Sequence, residues 1–136
     1  FLALAFLGWV ENLAPIAILN ATVAGALITY TYFNIKPARF QMGDVGSLGL
    51  GSLLAVNAIV LNQIIILPLI AFIFYAEAIS VVIQIIGRQF FGRKVFKMAP
   101  LHHHFELLGW SEEKIVMRFW IIHLAFVILG LWIGLH

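Results

Sequence analysis

The run VGSLGLGSLLAVNAIVLNQIIILPLIAFIFYA, Val45 to Ala76, decides the fold. It contains no charged residue and is too long for one membrane-crossing helix. A hydrocarbon core about 30 Å thick takes about 20 helical residues, each rising about 1.5 Å. If Glu77 is tolerated, the apolar character continues to Gly87, which is enough for two crossings. Asn62-Gln63 is the natural turn between them, giving predicted spans at 47–61 and 64–86.

Working outward, the stretch from Asn12 to Ile35 is also uncharged, and Pro15 suits a helix start. That predicts a span at 15–33, with Ala24-Gly25-Ala26 as a small-residue face for close packing. A last span is expected at 112–135, with Ser111 as its cap and Glu112 and Glu113 at the positive end of its dipole. Phe1 to Val10 is apolar but too short to cross, and no basic region precedes it as a signal peptide requires. It reads as the end of a further span, and the chain as the C-terminal part of a longer protein.

Composition agrees. Hydrophobic residues make up 63% of the chain and charged residues 10%, with a mean hydropathy of +1.06. A soluble domain is about half apolar and about a quarter charged. A soluble enzyme, a disordered tail and a nucleic-acid-binding domain are therefore excluded. The absence of cysteine removes disulfides, thiolate metal sites and cysteine nucleophiles. The predicted class is all-α: a polytopic helix bundle with four complete spans plus the end of a fifth.

The eight basic residues fall in two places. Lys36 and Arg39 precede the two-span hairpin; Arg88, Arg93, Lys94, Lys97, Lys114 and Arg118 follow it. An even number of crossings separates the two groups, so the loops at 34–46 and 87–111 share a side, which the positive-inside rule makes cytoplasmic.

Three groups of residues could carry chemistry. Asp44, followed by Gly46 and Ser47, stands at a predicted helix start. It is either a cap among packing glycines or a carboxylate placed for Mg²⁺ and phosphate, the hard cation taking oxygen and the helix N-terminus facing the anion. Glu77, Ser80 and Gln84 share one helical face. They read as a helix–helix contact, with Asn57 the expected partner of Glu77, while Gln84 lies nearer the cytoplasmic end and suits ligand contact. His102, His103 and His104 diverge too much to converge on one metal, leaving a satisfied polar loop or imidazole donors to phosphate or sugar oxygens. His123 reads as a packed polar group, and Trp110 and Trp120 as interfacial anchors.

Taken together, Met42-Gly43-Asp44-Val45-Gly46-Ser47-Leu48, Glu77…Ser80-Val81…Gln84, Ala99-Pro100-Leu101-His102-His103-His104-Phe105-Glu106 and Arg118-Phe119-Trp120 resemble one family in order and spacing. It is the phospho-N-acetylmuramoyl-pentapeptide-transferase family, within the polyprenyl-phosphate N-acetylhexosamine-1-phosphate transferases. The resemblance runs from about Asn20 to Leu135. It implies transfer of phospho-MurNAc-pentapeptide from UDP-MurNAc-pentapeptide to undecaprenyl phosphate, giving lipid I and UMP with Mg²⁺. It also implies ten transmembrane helices in the bacterial inner membrane, a cytoplasm-facing active site and a homodimer, with no nucleic-acid partner. Asp44 matches the family's Mg²⁺ ligand, and Asn34 and Gln84 match polar groups of the nucleotide-sugar cleft. His102, His103 and His104 match its histidine motif.

Two departures stand out. The family places an aromatic for uracil stacking where Gln41 stands, and Phe40 comes one residue early. Its paired aspartates have no counterpart in this chain, so the segment alone is expected to be inactive. The competing readings are a sister enzyme using UDP-GlcNAc, against which the Pro-Leu-His-His-His-Phe-Glu string argues, and a transporter with a polar path along Glu77, Ser80 and Gln84. The concentration of polar residues in two loops on one face favours surface chemistry.

Overall fold

A computed structural model describes all residues, 1–136, and contains helices and turns without a strand. In chain order the helices are α1 (Leu2–Val10), α2 (Ala14–Asn34), α3 (Asp44–Val60), α4 (Leu67–Ile70), α5 (Phe72–Phe91), α6 (Leu101–Glu106) and α7 (Glu112–Gly134). By length and composition α2, α5 and α7 can each cross a membrane. With 17 residues, α3 is at the short end of that range. Ile18, Ile28, Ile121, Leu124 and Ile128 are all exposed, as lipid-facing side chains are and water-facing ones rarely are in such number. The chain is a multi-pass, all-α membrane protein. It divides into two compact units, Phe1–Leu67 with Leu131–His136 and Pro68–Gly130.

In the first unit α1 and α2 form a tight hairpin. Asn12 adopts a left-handed φ of 57°, and the Leu13 N–H donates to Gly8 O at 2.9 Å, which stops α1. A Cβ on Gly8 would lie 3.1 Å from the Ala17 backbone, so glycine is what lets the helices close. Of the small-residue face expected at Ala24-Gly25-Ala26, Ala24 is buried while Gly25 has open space around it. The close contact belongs to the Gly8–Ala17 pair instead. Between α2 and α3 the buried amides of Asn20 and Asn57 meet, Asn57 Nδ2 donating to Asn20 Oδ1 at 3.0 Å. The turn at Asn62-Gln63 follows the same left-handed pattern, with Asn62 at φ 53° and the Gln63 N–H on Ala58 O at 2.8 Å.

The span expected at 64–86 is displaced. The residues after Gln63 form a turn, helix begins at Leu67, breaks at Ala71 and resumes from Phe72. Pro68 has no N–H to give to the carbonyl four residues back, so a continuous helix through Ile64 is not available. At the other end α5 runs past the expected stop, with Arg88 in its last turn against the negative end of the dipole. It ends at Gly92, whose φ of 60° is left-handed. The stretch expected as a plain loop, 87–111, therefore holds a turn of α5 and the short helix α6. In the second unit the rings of Phe72 and Phe126 stack 3.6 Å apart, tying α5 to α7.

Candidate functional site

Within the second unit, the polar face of α5 is covered by the chain that follows it. Beyond Gly92 the segment turns back along α5. The Arg93 N–H reaches Gly87 O at 3.2 Å, and a Cβ on Gly87 would fall 2.7 Å from Val95 Cγ2. One turn further along α5, Gln84 grips the same segment at three points. Its Oε1 accepts from the Val95 N–H at 3.1 Å and the Phe96 N–H at 2.9 Å, and its Nε2 donates to Phe96 O at 2.9 Å. Two turns beyond that, Glu77 receives His102. Ser80, buried between these grips, donates to Glu77 O at 2.6 Å.

Glu77 thus pairs with His102, not with Asn57, whose amide is engaged by Asn20. The His102 N–H donates to Glu77 Oε1 at 3.2 Å, and the His102 ring Nδ1 lies 3.2 Å from Oε2. A half-buried carboxylate within a membrane-length helix is stabilised by such a partner. Gln84 is likewise a clasp for residues 95–96, its amide occupied by the backbone.

The three histidines sit on α6 and fan out as a helix demands. His102 faces Glu77, His103 Nδ1 meets Glu106 Oε2 at 2.7 Å, and His104 Nδ1 accepts the Lys97 N–H at 3.2 Å. The rings of His102 and His103 are 4.1 Å apart. Beside them lies a cleft of about 340 Å³ lined by Glu77, His102 and Glu106 on one side and Ile115, Val116 and Phe119 on the other. Trp110, expected as an interfacial anchor, is half-buried just before α7: Phe105 stacks on it at 4.9 Å and the Arg118 guanidinium lies 4.2 Å from its ring centre. Ser111 Oγ accepts the Lys114 N–H at 3.4 Å at the start of α7. His123 meets the edge of Phe74 at 6.4 Å and leaves its buried Nδ1 without a partner.

The first unit carries the other candidates. Asp44 opens α3, but Gly43 is the residue before the helix and the Asp44 side chain makes no capping bond. The carboxylate is exposed. Asn34, the last residue of α2, and Gln41 are exposed as well. The loop joining them is pinned by Tyr30, whose hydroxyl accepts the Met42 N–H at 2.7 Å. Phe40 lies 5.6 Å from the Tyr30 ring and 5.9 Å from Phe33. A second cleft, about 350 Å³, is lined by Tyr32, Phe33, Ile35, Lys36, Pro37 and Arg39.

No three His, Asp or Glu side chains gather to hold a metal ion. A lone exposed carboxylate nevertheless fits Mg²⁺, which is commonly held by one or two carboxylates with substrate phosphates and water completing the shell. Sequence reasoning missed Gly87 and Lys97. The signal for the first was its place at i+10 from Glu77, on the same helical stripe.

Comparison with known proteins begins at the level of class. Residues 1–62 match the model of Glycosyl transferase family 4. More specific matches are proteins named phospho-N-acetylmuramoyl-pentapeptide-transferase. The one from Halalkalibacterium halodurans is 44% identical over 98% of this chain and 41% of its own length. That of Leptospira biflexa is 52% identical over 82% of this chain and 30% of its own. The Staphylococcus carnosus protein is 49% identical over 82% and 35%. The chain is thus a relative of the phospho-N-acetylmuramoyl-pentapeptide-transferases, and the resemblance carried by its motifs is borne out. It spans about two fifths or less of the length of these relatives.

Proposed function

We propose that the full-length protein transfers phospho-MurNAc-pentapeptide from its UDP-linked form to undecaprenyl phosphate, producing lipid I and UMP. The supporting observation is the 44% identity along 98% of the chain to a protein of that name. In this reaction a phosphate oxygen of the lipid attacks the sugar-bound phosphorus, the bond to the uridine-bound phosphate breaks, and UMP leaves. Such chemistry depends on positioning and charge compensation more than on an elaborate nucleophile.

Asp44 is the residue that would hold Mg²⁺, whose charge offsets that of the diphosphate when it is bound. Asn34 and Gln41, exposed beside it in the chain, are proposed contacts to the donor nucleotide-sugar. The imidazoles of His102, His103 and His104 address its polar groups, and Gln84 keeps their segment in place. The protein is proposed to lie in the bacterial inner membrane, with the basic loops cytoplasmic, and to act as a homodimer.

A transport path along the polar face of α5 is disfavoured, because residues 92–102 fill that face. The decisive assay supplies the purified full-length protein with Mg²⁺, undecaprenyl phosphate and either UDP-MurNAc-pentapeptide or UDP-GlcNAc. UMP release with the first donor only is expected. Release with UDP-GlcNAc alone would establish the sister reaction, and release with neither would remove the transferase reading. Cysteines at Pro37, Gly92 and Asn62 test orientation in intact cells; an impermeant thiol reagent should reach only Asn62.

A further inference from the structure

The three adjacent imidazoles do not offer a ligand the same group. A carboxylate only accepts hydrogen bonds, so Nδ1 of His102, 3.2 Å from Glu77 Oε2, carries a proton. The same holds for His103 against Glu106 Oε2 at 2.7 Å. In the neutral ring this leaves Nε2 as a bare acceptor. His104 is the reverse: its Nδ1 accepts the Lys97 N–H at 3.2 Å, so its proton sits on Nε2 as a donor. An ionised phosphate has oxygens that accept but no hydrogen to give. With neutral rings, only His104 is matched to phosphate, while His102 and His103 are matched to groups that donate, such as sugar hydroxyls and amide N–H.

We propose that Glu77 is a positioning residue of the histidine motif. It fixes both the place of His102, through the backbone N–H, and its tautomer, through Nδ1. His102 Nε2 is thereby held as an acceptor for a hydroxyl or amide N–H of the sugar portion of the donor substrate. Carboxylates that orient metal-bound imidazoles play this part elsewhere, and their removal typically costs roughly 10–100-fold in metal affinity or activity. The inference deepens the transferase reading and rests on it for the identity of the substrate.

The test uses full-length protein in detergent with ¹⁵N-labelled histidine side chains, the His102 signals being those lost in His102→Gln. In the wild type, His102 is expected with its proton on Nδ1 and a bare Nε2. Glu77→Gln should invert this. Its carbonyl oxygen must keep the His102 N–H, so its NH₂ faces Nδ1 and donates to it, moving the ring proton to Nε2. The melting temperature should hardly change, while UMP release should fall roughly 10–100-fold. A protonated Nε2 in the wild type overturns the proposal without reference to any variant. Inversion in Glu77→Gln with undiminished UMP release overturns the positioning role. If the wild type releases no UMP the substrate reading falls, and the spectra still decide what Glu77 does to His102.

Discussion

The two basic loops of this chain are built on opposite plans. Residues 35–43 are tied back through the Met42 N–H and Tyr30, with Phe40 against two rings of α2, and leave Asn34, Gln41 and Asp44 exposed. Residues 92–106 are held by Gln84, Glu77 and Gly87, which engage the backbone of Arg93, Val95, Phe96 and His102. An exposed polar group keeps its water and loses nothing until a ligand replaces it. The second segment instead pairs its backbone with α5 at Arg93, Val95, Phe96 and His102, while the side chains of Arg93, Lys94 and Lys97 stay exposed. The difference separates side chains that await a ligand from a scaffold that places others.

That comparison breaks most readily at Asp44. In the full-length protein Asp44→Asn should lower turnover by about 10²–10³-fold, in line with about 2.7–4 kcal/mol for losing one charge-stabilising contact in a transition state. Thermal stability should barely move, because the side chain makes no capping bond. UMP release against Mg²⁺ concentration, with a melting curve, checks both; near-wild-type turnover would mean Asp44 is not the metal ligand.

On the clasped side Gln84→Leu should do the opposite and act first on structure. It leaves two backbone N–H groups and one carbonyl without their partner, at about 1–3 kcal/mol for each group that stays buried and about 2–4 kcal/mol altogether. Hydrogen exchange of Val95 and Phe96 should rise sharply, while exchange at Met42 stays as it was. Unchanged protection at 95–96 would show that another contact holds the segment.

Smaller effects sharpen the contrast. Phe40 touches Tyr30 and Phe33 with half its surface exposed, and position 41 itself carries no ring. Gln41→Phe should tighten UMP binding by about 1–3 kcal/mol, the usual worth of a base stacked on an aromatic ring. Calorimetry in detergent reads this, and unchanged affinity would mean stacking is not used. Gly87→Ala is expected to cost about 1 kcal/mol net. Crowding Val95 costs about 1–3 kcal/mol and the better helix former recovers up to about 1. A melting curve and the exchange of Val95 report it, and a stabilised variant would show that Val95 swings clear.

Hydropathy was enough to read α2, α3 and α7, because a long apolar run between charged residues has one stable answer in a bilayer. The break before Phe72 was less legible, since Pro68 shows only that some interruption must occur. The polar stripe on α5 was visible as Glu77, Ser80 and Gln84, yet its partner was not. Gln84 finds Phe96 and Glu77 finds His102 across a fold-back whose path no local pattern records. For the same reason the histidine string pointed to a site while the separate task of each ring came only from its neighbours.

The Asn20–Asn57 pair has a consequence for how the protein is made. Asn57 lies on the shortest of the long helices, one that starts with Asp44 and carries Gly46, Gly49 and Gly51. In such a segment the Asn57 amide is the costly group to bring into lipid without a partner. Asn20 is synthesised first, and in the folded chain its Nδ2 is bonded to Ile16 O within its own helix while its Oδ1 takes Asn57. Insertion of α3 is then a handover between neighbours, and its efficiency in a translocation assay should depend on Asn20 being upstream. A third helix that inserts equally well behind Asn20→Leu would show that the greasy run alone suffices.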